Sequence, residues 1–186
     1  MRLSEPRIPP LSDEDANDEQ REILDLARQR GRDRVLNVQR TIARYPALAR
    51  ARGPFTAHIM GGSALPERER ELLILRVGWL CQSEYEFGQH TRFGKSLGLS
   101  DEEIKRVTLG PDADGWDAFD ATLLRAADEL HGDAFISDAT WAALAERYSQ
   151  DQLMDVVFTV GQYNLVSMAL NTFGVQFEEG VTGFPD

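Results

Sequence analysis

Three side chains in this sequence have the types and spacing for proton-transfer chemistry: Glu71, Glu86 and His90. Glu86 and His90 lie four positions apart in a segment predicted to be helical, so they share a face. Glu71 belongs to the preceding segment, on a face with Ile74, Leu75 and Gly78. A carboxyl group among such neighbours has its neutral form favoured by desolvation, and Gly78 lets a second helix approach closely. A glutamate and a histidine whose surroundings pull their protonation apart form a general acid–base arrangement. Other readings of these residues stay open: Glu71 as an exposed residue paired with Arg68 or Arg76, Glu86 as a helix cap, His90 as a half-buried core residue.

Ser83 stands three positions before Glu86 and completes the capping pattern Ser-x-x-Glu at the head of a helix. The other histidines, His58 and His131, are far away in sequence and no His-x3-His pair occurs, so no metal site is expected. Cys81 is the single cysteine of the chain. It reads as a small buried hydrophobe, or as a reactive thiol whose pKa a nearby helix N-terminus lowers.

Turn residues cut the chain into helix-length blocks that must position these groups. Pro6, Pro9 and Pro10 make an extended arm, and an amphipathic helix with Ile23, Leu24 and Ala27 on one face ends at Arg30-Gly31. A second helix starts near Asn37 and breaks at Tyr45-Pro46, where Pro46 opens a third that Gly61-Gly62 closes. Pro66 opens the block carrying Glu71, which is apolar on nearly every side and so predicts a helix buried all round. The Ser83 block runs to about Ser96. Ser100 to Glu103 forms a second capping box, Trp116 to Leu130 is helical by period, and Ser137 caps a further helix. The block led by Asp151 and ending at Gly174 is more apolar between Val156 and Leu170 than one packing face requires, as a central core helix or a buried subunit interface would be. No alternating strand pair and no repeat is visible. The expectation is an all-α, single-domain bundle of about eight helices.

Composition narrows the partners. Hydrophobic residues at 42% and charged residues at 27% suit a globular chain with a real core. A formal net charge of -11 repels nucleic acid and anionic lipid, so neither is expected as a partner. The basic runs Arg28, Arg30, Arg32, Arg34 and Arg40 to Arg52 read as a solvated helix edge and loop. One cysteine excludes an intrachain disulfide framework and favours a reducing compartment. Residues 1–11 lack an apolar run, and stretches such as Leu72 to Leu75 fall short of a membrane span, so a cytoplasmic protein is expected.

The run Leu65 to Arg76, followed by Glu84 to His90 and by Gly98-Leu99-Ser100, resembles the carboxymuconolactone decarboxylase family, the wider group that includes alkylhydroperoxidase D-like proteins. The likeness covers residues 35–175, leaving 1–34 as an amino-terminal arm with a first helix and 176–186 as a tail. It implies an all-helical fold that assembles as a homo-oligomer: dimer, trimer or hexamer. The peroxidase branch of that family uses a Cys-x-x-Cys pair, a histidine four residues after the second cysteine, and a glutamate on the preceding helix. Registering on His90 puts Ser83 and Glu86 at the two cysteine positions and Glu71 at the relay glutamate. Neither serine nor glutamate can act as an attacking or resolving thiol. The decarboxylase branch, whose pattern Tyr85, Glu86, Phe87 and His90 resemble, needs proton transfer and no redox centre. The resemblance therefore implies a cofactor-free enzyme acting on a small organic acid or lactone. Glu71, Glu86 and His90 would be its catalytic residues, and Tyr85, Arg76, Cys81 and Ser83 would bind substrate. Arg76 or Arg92 would hold a carboxylate, unless both are spent in ion pairs. Two alternatives are a peroxidase using Cys81 with an external thiol, and a non-catalytic helical oligomer that binds a small molecule.

Overall fold

The computed structural model describes residues 2–31 and 34–185. Arg32, one of the arginines read as a solvated edge, lies outside them, as does the side chain of Arg30. The described residues form nine α-helices and one π-helical turn, with no strand. The chain is all-α, as its turn pattern predicts.

Helix α4 (Glu67–Leu80) is central and packs against α5 (Glu84–Ser96), α7 (Ala118–Asp133) and α9 (Gln150–Phe173). Every residue from Glu69 to Gly78 is buried, as side chains that are apolar nearly all round require. The helix closes at Gln82, which takes a left-handed φ of 50°. There the N–H of Gln82 donates to Trp79 O and that of Ser83 donates to Gly78 O, so two orphan carbonyls are satisfied and the chain reverses within two residues. The reversal lays α5 antiparallel on α4. Gly78 makes the approach close: a Cβ there would lie 3.4 Å from Phe87 N.

Ser83 is the N-cap of α5, yet its hydroxyl accepts no bond from the helix, and the box predicted with Glu86 is not formed. Glu86 is drawn instead to His90. The box predicted at Ser100 and Glu103 does form, at the head of α6 (Asp101–Leu109). Helix α7 begins later than the period suggests, with Asp117 capping it through the N–H groups of Phe119 and Asp120. Ser137 caps α8 (Asp138–Ala145).

Arg76 is a structural clamp. It donates to both oxygens of Asp128 on α7, at 2.6 and 2.9 Å, and to the carbonyls of Val107 and Thr108 at the end of α6. The substrate role expected of it is therefore corrected: its guanidinium is committed to fastening α4 to α6 and α7. Arg92 is exposed and also stands outside the cavity described below.

Both readings of the last apolar block have a counterpart in α9. One side, with Val156, Val160, Tyr163 and Val166, is buried in the core. The other leaves Met154, Val157, Phe158, Leu165 and Met168 exposed at helical spacing. By length and composition alone α9 is apolar enough to cross a membrane, but 56% of that window is buried against the rest of the chain.

The amino-terminal helices α1 (Asp18–Gly31), α2 (Asn37–Ala43) and α3 (Pro46–Ala57) pack together over Leu11, Ala16, Leu24 and Ala43. Pro54 removes a donor from α3, and the chain widens into the π turn His58–Gly62. Asp155 of α9 fixes the exit of that turn, accepting from His58, Ser63 and Ala64 N. The tail after Gly174 folds back along α5. Glu178 accepts from Tyr85, Gln89 and Asn37 N, while Phe184 meets Trp79 and Phe87 edge-on.

Candidate active site

The α4–α5 hairpin brings Glu71 and His90 together across the core. His90 Nδ1 lies 2.6 Å from Glu71 Oε2, and His90 Nε2 lies 2.9 Å from Glu86 Oε1. Glu71 is fully buried, and Glu86 and His90 are each 5% exposed. A ring that donates from both nitrogens is an imidazolium. Burial opposes that charge, but Glu71 and Glu86 outweigh it and raise the His90 pKa to about 10. Behind Glu71, Arg70 Nε lies 3.5 Å from Oε1. The edge of Tyr163 closes the ring face, 5.0 Å between centroids, and its hydroxyl donates to Met60 Sδ. Burial, reinforced by Glu86 and Glu71, pushes the Tyr163 pKa well above its ordinary value and keeps it a neutral phenol.

Glu86, His90 and Tyr163 face a cavity of about 530 Å³ between α1–α3 on one side and α5 and α9 on the other. Its walls are mostly apolar, with Ile23, Ile42, Met60, Phe93 and Val166 among them. The volume lies within the range of small-molecule sites. Glu71 does not line it. The order from cavity to core is therefore Glu86 and the Nε2 edge of His90, then Nδ1, then Glu71. Glu71 is placed to fix a proton on Nδ1, which leaves Nε2 as the ring nitrogen on the cavity side.

The remaining residues expected at the site lie elsewhere. Tyr85 donates its hydroxyl to Glu178 at 2.7 Å, stacks on Phe177 and does not line the cavity; it anchors the tail. Ser83 is buried, and its hydroxyl has no hydrogen-bond partner among the described residues. Cys81, at the end of α4, donates to Asn164 Oδ1 at 3.3 Å, and the same oxygen accepts from His131 Nδ1. Burial pushes the Cys81 thiol up, only partly offset by Ser167 and Arg2. Tyr163, Gln162 and Arg52 line the cavity without having been singled out as site residues. Arg52 sits in a basic run read as solvated. Helix spacing carries no signal for it, since Arg50, two positions earlier, lines the cavity as well.

Fold and site together place a buried carboxylate–imidazole–carboxylate chain at the wall of an apolar cavity inside an all-α bundle. Residues 46–129, which span α3 to most of α7 and include Glu71, Glu86 and His90, match the carboxymuconolactone decarboxylase family. The match covers less than half of the chain, in the stretch that carries the site, and is a likeness to that family over those residues. No curated protein matches the sequence. Among solved structures, a peroxidase-related protein with an alkylhydroperoxidase AhpD core from Ralstonia eutropha JMP134 superposes with a TM-score of 0.74 at 21% identity, over 91% of this chain and 87% of its own. A peroxidase-related protein from Silicibacter sp. TM1040 gives 0.75 at 19%, over 96% and 92%. A variant of the debrominase Bmp8 in complex with 2,3,4-tribromopyrrole gives 0.76 at 14%, over 92% and 91%. At these identities the likeness is one of fold.

Proposed function

We propose that the chain is a cofactor-free acid–base enzyme acting on a small organic acid or lactone, most simply a decarboxylase. The observation that carries this reading is His90 held between Glu71 and Glu86 at the wall of an apolar cavity. When a substrate carboxylate leaves as CO2, its bonding electrons remain as a carbanion or enolate. The Nε2 proton of His90 is then delivered to carbon, and the ring is left as the neutral Nδ1–H tautomer that Glu71 stabilises. Solvent returns the proton for the next turnover. The family match supports a lyase, and the ring bound by the debrominase is a small-molecule precedent within the same fold. The test is CO2 release from a panel of unsaturated lactone acids, with His90→Ala as the control: release that is unchanged in the variant removes the assignment.

The peroxidase-related relatives favour a second reading, through Cys81 and an external thiol. The raised thiol pKa and the bond to Asn164 argue against it. At pH 7.5, alkylation of Cys81 by iodoacetamide is expected to be at least about tenfold slower than that of free cysteine. Sulfenic acid forming within seconds of adding peroxide would restore the thiol mechanism.

Self-assembly belongs to the same proposal. The exposed row Met154, Val157, Phe158, Leu165 and Met168 is an apolar face that a homo-oligomer, dimer, trimer or hexamer, would cover. A reducing cytoplasm suits the single cysteine.

A further inference from the structure

We infer that Arg52 is the anchor for a substrate carboxylate, and that the cavity selects a ring-bearing or branched apolar monocarboxylate carrying one further polar group. The inference rests on the reading that this cavity is where substrate binds.

Two arginines of α3, Arg50 and Arg52, line the cavity. Arg50 is neutralised by Glu19 and Glu22 of α1. Arg52 turns inward to line the cavity, half-buried, and makes no hydrogen bond or ion pair among the described residues. A guanidinium drawn from water with no carboxylate in contact, only Glu86 acting at longer range, costs free energy, in a chain whose net charge of -11 offers many carboxylates. The carboxylate facing the same cavity is Glu86, and it is bonded to His90. Counting from the core to the cavity, Arg70, Glu71, His90 and Glu86 alternate in sign and cancel. Arg52 is the charge left over, and one monoanion balances it.

A second, independent orphan lies in the same wall. Gln162 is 4% exposed and lines the cavity. One end of its amide has only a long contact to Thr56 Oγ1, at 3.4 Å, and the other end has no partner. Whichever way the amide is turned, one polar end is available to a ligand. Around these two groups the wall is apolar, with Ile23, Ile42, Met60 and Phe93. A carboxylate matches the planar donor fork of arginine. A phosphate dianion would bring a second negative charge into a site that already contains Glu86.

The experiment is calorimetric titration of the full-length protein with 4-hydroxyphenylacetate and with its uncharged amide, 4-hydroxyphenylacetamide. The wild type is expected to bind the acid at least about tenfold more tightly than the amide, the size of one charge-assisted pair. Arg52→Met should abolish that preference while leaving amide binding within about twofold, and Arg52→Lys should retain part of it. Equal affinity of wild type and Arg52→Met for the acid overturns the inference, as does failure of the wild type to bind the acid. Displacement of the acid by equimolar inorganic phosphate overturns the choice of carboxylate. None of these readouts involves turnover. Loss of the acid–base assignment through an unaffected His90 variant would leave the Arg52 result standing, and the converse also holds.

Discussion

Turnover by the His90→Gln variant is expected to fall by about 10²- to 10⁴-fold, the usual contribution of a positioned acid–base group. Glutamine is the informative replacement. Alanine would leave Glu71, which is fully buried, and Glu86 facing each other across a void with no positive charge between them. Removing one partner of a buried ion pair costs about 3–5 kcal/mol, so an inactive alanine variant has to be shown to be folded and assembled before its inactivity counts. A glutamine amide still donates to a carboxylate but cannot carry a proton. Steady-state kinetics with circular dichroism at matched concentration separates the two effects: kcat should collapse while the helical signal persists.

The largest expected effect on stability belongs to Gly88→Ala. A Cβ at Gly88 would sit 2.1 Å from Thr182 O and 3.0 Å from a methyl of Val181. Backbone contacts that short cannot be relieved by a rotamer change, so the tail must lift from α5. With it go the edge contacts of Phe184 on Trp79 and Phe87, and strain reaches Glu178, which ties Tyr85, Gln89 and Asn37 together. Overpacking of this kind costs about 1–3 kcal/mol, occasionally more. For a chain of this length the loss corresponds to about 2–4 °C in Tm per kcal/mol. Gly132→Ala is the control, since a Cβ there meets nothing within 4 Å. Thermal unfolding should show the drop in the first variant alone, and limited proteolysis should cut the tail of Gly88→Ala first. Equal Tm values for the two would mean that the tail does not press on α5.

Much of the architecture was legible because its signals are local. The apolar surround of α4, the stop at Gly98, the caps at Ser100 and Ser137 and the break at Tyr45-Pro46 each concern a few adjacent residues. The Glu71–His90 contact was also within reach, because a three-residue connection, Cys81 to Ser83, forces α5 back along α4. What failed depended on partners distant in sequence. Tyr85 was read as touching substrate because its bond to Glu178, 93 positions on, is invisible locally. Arg76 was offered as a carboxylate holder because Asp128 is 52 positions away. The Ser83 box failed for a different reason: Glu86 had two possible partners, and the imidazolium outcompetes a cap. Arg52 has no local signal, because α3 carries no clear apolar stripe and only the packing of α1 to α3 against α5 and α9 makes the cavity that it and Arg50 line.

The protonation of the His90 ring is read directly by ¹⁵N NMR of Nδ1 and Nε2 from pH 6 to pH 11. Both nitrogens should be protonated at pH 8, with the ring losing its proton near pH 10. Glu71→Gln should move that midpoint down, because a neighbouring negative charge is what holds the proton. A His90 ring that is already neutral at pH 8 and titrates near its ordinary value of 6.5 would contradict the carboxylate–imidazolium–carboxylate chain.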